Sequence, residues 1–328
     1  MEKQNDMLLQ VKDLRVYYTA GGEIINAVNG VDLEVRRGET LGLVGETGAG
    51  KTTIAKSIMR ILPDPPAKIG GGEIYLDGQE LLHLPEKKMQ EIRGKKISMI
   101  FQDPMTALNP VFTVGEQIEE VIMLHEKVNR GEAAVKARQM LELVGIPGDR
   151  SGDYPHQFSG GMKQRVVIAM ALACSPELIL ADEPTTALDV TIQAQILDMI
   201  KALKEKQNTS MILITHDLGV VAEVCDRVAV VYAGEIIEYS TKEEIFDYPT
   251  HPYTVGLFGS IPKIHEDVEW LDSIPGMPPN PADLPSGCHF HPRCSKCTQP
   301  CGEKAPEMVE VRPGHFVRCL NCTEKKES

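Results

Sequence analysis

The sequence predicts an α/β fold, and three observations carry that prediction. The first 45 residues alternate apolar and polar positions, in LLQVKDLRVYY, INAVNGVDLEVRRGE and TLGLVG, the period of strands. Two short, dense apolar runs, LILADEP (178–184) and SMILITHD (210–217), flank an amphipathic stretch from Thr191 to Lys206. That is the pattern of buried parallel strands joined by a crossover helix. A glycine-rich segment, Gly45-Glu-Thr-Gly-Ala-Gly-Lys51-Thr52, lies between the strand TLGLV and a helical pattern.

Along the chain, Gly21-Gly22 and Gly38 supply turns between the first strands. A helix follows from Thr52 to Leu62 and stops at PDPP, residues 63–66. GGEIYLDGQEL reads as a short strand pair turning at Asp77-Gly78. From about 85 to 170 the period changes: Met89–Arg93, Val114–Leu124 and Ala133–Val144 space apolar residues helically, giving a helical subdomain. RVAVVYAGEIIEYS reads as a final hairpin turning at Ala233-Gly234. Pro275, Pro278, Pro279, Pro281 and Pro285 mark a linker, and a cysteine-rich tail follows. There is no internal repeat and no heptad run.

Composition narrows the class. The chain of 328 residues, 42% hydrophobic and 25% charged, has the balance of a globular protein. Its 34 Lys+Arg against 47 Asp+Glu leave a net charge of −13, the wrong sign for tracking a nucleic-acid backbone. The longest apolar run, Val166 to Cys174, is far shorter than the roughly 20 residues of a spanning helix. The start, MEKQNDMLLQ, has no apolar signal region, so an intracellular chain is expected, reaching a membrane only through a partner.

The glycine-rich segment is a full GxxxxGK[ST] phosphate loop. Its glycines let backbone N–H groups close around phosphates, and the following helix adds positive potential at its N-terminus. Lys51 is expected to reach the β- and γ-phosphates and the Thr52 hydroxyl to ligate Mg²⁺. The strand LILAD ends in Asp182 and Glu183. The first carboxylate suits a Mg²⁺ site, and the second is placed to orient or deprotonate an attacking water. Gln102, after ISMIF, and His216, after ILIT, end two further apolar runs that should deliver their C-terminal ends to one crevice. Ser159-Gly160-Gly161-Met162 opens the helical stretch RVVIAMALA. It reads either as a helix N-cap or as a second anion site serving another subunit's nucleotide.

The order of phosphate loop, Gln102, FSGGMKQR, LILADEP, ALD and ITHD resembles the ATP-binding subunit of an ABC transporter. The resemblance implies an ABC nucleotide-binding domain with an antiparallel β subdomain over about residues 1–260, and a C-terminal extension over 261–328. Residue by residue it implies adenine stacking by Tyr18 (with Tyr17 as the adjacent aromatic) and phosphate binding by Gly45, Gly48, Gly50, Lys51, Thr52 and Thr53. Gln102 matches the Mg²⁺-linked glutamine that also faces the membrane subunits. Ser159, Gly160 and Gly161 match the signature, Asp182 the metal aspartate, Glu183 the catalytic glutamate and His216 the switch histidine. Asp189 falls in the loop that crosses the dimer. Phe158 and Met162 depart from the commonest signature, LSGGQ. ATPases of this type acting in translation carry two cassettes, and those of DNA repair a long coiled coil; this chain has neither.

The tail, with His251-Pro-Tyr-Thr254, LPSGCHFHPRC and HFVRC, resembles the di- and oligopeptide (and nickel) importer ATPases. That resemblance implies peptide uptake, with nickel or another solute as the alternative. It also implies a second ATPase subunit, identical or sibling, two membrane permease subunits and an external peptide-binding protein, with the ATPase peripheral at the cytoplasmic face. Six cysteines crowd the tail, and thiolates in a reducing compartment favour metal over disulfides. The family pattern matches Cys288, Cys294, Cys301 and Cys319 as ligands of a [4Fe–4S] cluster, with Zn²⁺ or free thiols as alternatives. Cys297 and Cys322 read as extras. A regulatory or redox role is the other reading of the tail. The tail is expected to lack hydrogen-bonded structure of its own, and the nucleotide site to stand without it.

Overall fold

The computed structural model describes residues 6–185, 189–259 and 274–323. Its strands are β1 (Met7–Ala20), β2 (Glu23–Arg36), β3 (Thr40–Val44), β4 (Ala67–Leu76), β5 (Gln79–Glu80), β6 (Ile97–Ile100), β7 (Leu178–Asp182), β8 (Ser210–Ile214), β9 (Arg227–Tyr232), β10 (Glu235–Thr241), β11 (Val309–Arg312) and β12 (His315–Val317). The chain forms two compact units. One comprises Met1–Leu8, Val35–Glu39 and His83–Leu213, the other Leu9–Glu34, Thr40–Leu82 and Ile214–Ser328.

In the second unit an antiparallel sheet runs β2-β1-β4-β5. Leu9 faces Leu76 and Val11 faces Ile74, and the register then slips between Lys12 and Arg15. Gly72 sits at that slip with φ +99, where a Cβ would lie 2.6 Å from the Asp13 carbonyl oxygen, so only glycine fits the bulge. The same unit carries β3 parallel to β9, with Leu41 facing Arg227 and Val44 facing Val230. Every residue of β3 is buried, which explains a run without alternation. β10 pairs with β9, β12 with β10 and β11 with β12, all antiparallel.

This corrects the expectation for the tail. Beyond its prolines it forms a hairpin whose β12 hydrogen-bonds to β10, with Glu238 facing Val317. Three residues of β12 give too short a pattern to be read as a strand from periodicity.

In the first unit β6 and β7 pair in parallel, Ile97 with Leu178 and Ile100 with Ala181, and β8 is the next strand beside β7. Its helices include Glu86–Ile92, Val114–His125, Arg130–Leu143 and Gly160–Leu172. Two of them start on capping boxes, Thr113 with Glu116 and Asn129 with Glu132, each satisfying otherwise unpaired N–H groups. Ile118, Ile122, Ala137 and Leu141 are fully buried, as their helical spacing requires.

Candidate functional site

The phosphate loop leaves β3 and enters the helix Lys51–Met59. Gly50 caps that helix with φ +103, and a Cβ there would meet the Ala27 carbonyl oxygen at 2.4 Å. At Gly45, φ +150, a Cβ would meet the Val231 carbonyl oxygen at 2.2 Å. The turn thus brings backbone against backbone at both ends, which a side chain forbids. Lys51 is buried, and its ammonium donates to the carbonyls of Gly45 at 2.8 Å and Glu46 at 2.9 Å. The Tyr18 hydroxyl lies 3.4 Å from the Thr53 hydroxyl. Tyr17 instead lies against Gly70, whose Cβ would sit 3.1 Å from its ring. Of the two adjacent tyrosines, it is Tyr18 that stands at the start of the helix.

In the other unit β7 is buried throughout and delivers Asp182, 3% exposed, at its end. Glu183 follows with φ +46, a left-handed conformation unusual for a residue with a Cβ and one that gathers at functional sites. The Gln102 side-chain amide donates to Glu183 Oε2 at 2.7 Å, so residues 81 positions apart meet at the ends of β6 and β7.

Ser159 caps the helix Gly160–Leu172, its hydroxyl accepting the Met162 N–H at 3.4 Å. Asp189 caps Val190–Gln207 by accepting from the Ile192 N–H at 3.0 Å. Ser159, Gly160, Gly161 and Asp189 line one open cleft of about 600 Å³, with Arg165 supplying a cation. Both departures from the commonest signature touch Arg150: its guanidinium stacks on Phe158 at 4.3 Å and donates to the Met162 sulfur at 3.7 Å. His216 stands exposed after β8, and Asp217 behind it caps the helix Leu218–Val224.

The profile of the ABC transporter family matches residues 28–186, and that of the oligopeptide/dipeptide transporter C-terminal region matches residues 237–301. The chain is 50% identical to a probable peptide ABC transporter ATP-binding protein of Sinorhizobium fredii, over 97% of this chain and 96% of the relative. It is 52% identical to the oligopeptide transport ATP-binding protein OppD of Bacillus subtilis, over 95% of this chain and 88% of the relative. The chain belongs to the family of peptide ABC transporter ATP-binding proteins. Among solved structures it is similar to the dimeric ATP-binding cassette MJ0796 in a post-hydrolysis state with ADP and phosphate. The TM-score is 0.65 and the identity 30%, over 71% of this chain and 98% of that one.

In this peptide importer ATPase the cysteine tail departs from the metal-site expectation. Among the described residues, no group of three or more His, Cys, Asp or Glu side chains is gathered closely enough to hold a metal ion. Cys288 does lie within electrostatic reach of Cys319, Cys301 and Cys294, but burial is the main reason its thiol is pushed up to about 11. Three of the thiols have hydrogen-bond partners outside the set. The Cys322 thiol donates to the Thr250 carbonyl at 3.7 Å. Cys301 lies 3.3 Å from the Thr298 hydroxyl, and Cys297 donates to the Thr298 carbonyl at 3.5 Å. Nothing among the described residues thus supports a [4Fe–4S] cluster or zinc, and no role is derived through either.

A second departure concerns the phosphate loop itself. The importer ATPase places two residues against Glu46, the second position of the loop, one of them, Arg293, from the tail. Tyr253 Oη accepts the Glu46 N–H at 2.9 Å, and Arg293 donates to the Glu46 carboxylate at 2.8 and 3.0 Å. Phe290 packs on Tyr253 at 5.5 Å. None of these appears among the sequence-derived site residues, because no local period links positions 247 apart.

Proposed function

We propose that this subunit hydrolyses ATP at a composite site shared with a second ATPase subunit, a copy of itself or a sibling. That hydrolysis drives uptake of di- or oligopeptides through two membrane permease subunits fed by an external peptide-binding protein. The observation that carries the reading is the contact between Gln102 and Glu183 directly after Asp182. It puts a carboxylate, an amide and a metal-type aspartate at two neighbouring strand ends.

The roles follow from the chemistry of each group. Lys51, now held on loop carbonyls, exchanges them for phosphate oxygens. Gly45, Gly48, Gly50, Thr52 and Thr53 supply backbone and hydroxyl donors, and Tyr18 stacks on the base. Thr52, Gln102 and Asp182 offer hard oxygen donors suited to Mg²⁺. When bound, that ion neutralises charge on the β- and γ-phosphates. Glu183 orients and deprotonates the attacking water, and His216 steadies the γ-phosphate. The cleft of Ser159, Gly160 and Gly161, with Asp189 beside it, receives the nucleotide held by the other subunit's loop. Residues 1–260 form this ATP-binding domain and 261–328 an extension of it.

Among the described residues no helix is long and apolar enough to cross a membrane. We place the subunit peripherally at the cytoplasmic face, held by the permeases. Near Gln102, Phe101, Met105, Val111 and Phe112 are 40%, 63%, 71% and 49% exposed, an apolar set suited to a protein surface.

Mixing two inactive variants tests the composite site. Ser159→Arg and Lys51→Ala homodimers each lack both sites, whereas their heterodimer keeps one intact. Recovery of ATPase activity on mixing is expected. A mixture no more active than its parts, or either variant active as a monomer, overturns the self-composite site.

A further inference from the structure

Glu46 has three polar groups, and each is held. Its N–H donates to Tyr253 Oη at 2.9 Å, its carbonyl accepts from Lys51 Nζ at 2.9 Å, and its carboxylate takes both terminal nitrogens of Arg293. Arg293 is 8% exposed and its other donors are also engaged, Nε with the Pro275 carbonyl at 2.9 Å and Nη1 with Tyr232 Oη at 3.3 Å. A guanidinium fixed at four acceptors cannot swing away, and a two-pronged carboxylate pair sets direction as well as distance. The residue thus braces the phosphate loop from the C-terminal extension, against the end of β9.

The brace has an electrostatic side. The phosphate loop must receive a polyanion, yet its second residue is a carboxylate. Beside Arg293 that carboxylate belongs to a neutral pair; without it, a bare negative charge stands in the loop and opposes the incoming phosphates.

We propose that Arg293 is a positioning residue for ATP, acting through Glu46 to neutralise and orient the phosphate loop, so that the C-terminal extension is part of the nucleotide site. The inference rests on the phosphate-loop reading, which MgATP binding by the unaltered chain tests separately.

The experiment measures MgATP dissociation constants by equilibrium titration, and KM and kcat, on the full chain. Arg293→Met is expected to weaken MgATP binding by about tenfold, the effect of roughly one charge contact. KM rises while kcat stays within about twofold, because Glu183 and Gln102 are untouched. Arg293→Lys, which keeps charge but loses the fork, is expected to fall between. The deciding variant is Arg293→Met with Glu46→Gln, which removes the unmasked charge and restores affinity toward that of the unaltered chain. A merely structural brace gives no such rescue, since the double variant also lacks the salt bridge. If the double variant binds no better than Arg293→Met, or if Arg293→Met loses stability with affinity unchanged, the proposal is overturned. Should Arg293→Met fail to fold, Arg293→Lys carries the test: equal KM to the unaltered chain overturns it.

Discussion

Gln102 donates its side-chain amide to Glu183 Oε2 at 2.7 Å, joining the ends of two parallel strands. The amide nitrogen takes the carboxylate, which leaves the amide oxygen as the atom that can face a metal. Glu183 is meanwhile held in a left-handed backbone conformation, φ +46. The strained turn and the hydrogen bond together fix where the carboxylate points.

Glu183→Gln is therefore expected to keep ATP binding and to lower hydrolysis by about 10²- to 10⁴-fold, the usual range for loss of a general base. The side chain keeps its size, so the backbone strain is unchanged. Single-turnover hydrolysis alongside nucleotide titration separates the two effects. A rate within a few-fold of the unaltered chain would show that another group activates water.

Two loop glycines make a graded pair. Gly48 has φ +83 with nothing within 4 Å of its Cβ position, whereas Gly50 has φ +103 and the Ala27 carbonyl oxygen at 2.4 Å. Gly48→Ala meets only the conformational penalty, about 1 to 2 kcal/mol. Gly50→Ala adds a backbone clash and is expected to cost more stability and more ATP affinity. Urea unfolding and nucleotide titration of both variants check the order, and an equal loss in the two would mean that the clash relaxes freely.

Much of this was legible in the sequence, for a physical reason. β3 and β7 are buried on both faces and read as unbroken apolar runs. The helices Val114–His125 and Arg130–Leu143 show the helical period of a half-buried surface. The phosphate loop is contiguous, so its glycines and Lys51 announce themselves. What could not be read was long-range. Arg293 reaches Glu46 across 247 positions, and β12 pairs with β10 through two facing pairs, Glu238 with Val317 and Tyr239 with Phe316. For the thiols, spacing reports only which residues could meet, and nothing among the described residues supports a metal between them. Cys322 meets the Thr250 carbonyl and Cys301 the Thr298 hydroxyl, contacts that the four-ligand pattern leaves out.

A buried histidine makes stability depend on pH. Burial holds the His251 imidazole down at about 4, against the upward pull of the Glu238 carboxylate. His251 Nδ1 accepts the Tyr253 N–H at 3.0 Å, which needs that nitrogen unprotonated. His315 faces the same carboxylate, Nε2 to Glu238 Oε1 at 2.8 Å. The folded value lies below the unfolded one, so the unfolded chain binds the proton more readily. Stability is fully present above roughly pH 6.5 and falls as pH drops, by on the order of 3 kcal/mol near pH 4. Denaturant unfolding at pH 7 and pH 5 is expected to show a steeper loss for the unaltered chain than for His251→Gln. Parallel losses would place the titration elsewhere.

Phe290 ties the extension to the phosphate loop by packing alone. It is 3% exposed and meets Tyr232 edge-on at 5.2 Å, Tyr253 at 5.5 Å and His251 at 5.7 Å. Edge-to-face contacts of this kind add to the burial of the ring itself. Phe290→Ala is expected to cost about 3 to 5 kcal/mol, the range for a buried phenylalanine. Phe290→Leu, which refills most of the space, is expected to cost less. The loss should reach the loop, because Tyr253, whose hydroxyl accepts the Glu46 N–H, loses the ring it rests on. Phe290→Ala should thus weaken MgATP binding as well as stability, acting through Tyr253. Urea unfolding combined with MgATP titration reads both quantities from one preparation. A large stability loss with unchanged affinity would mean that Tyr253 holds its place without the ring and that Arg293 alone joins the tail to the loop.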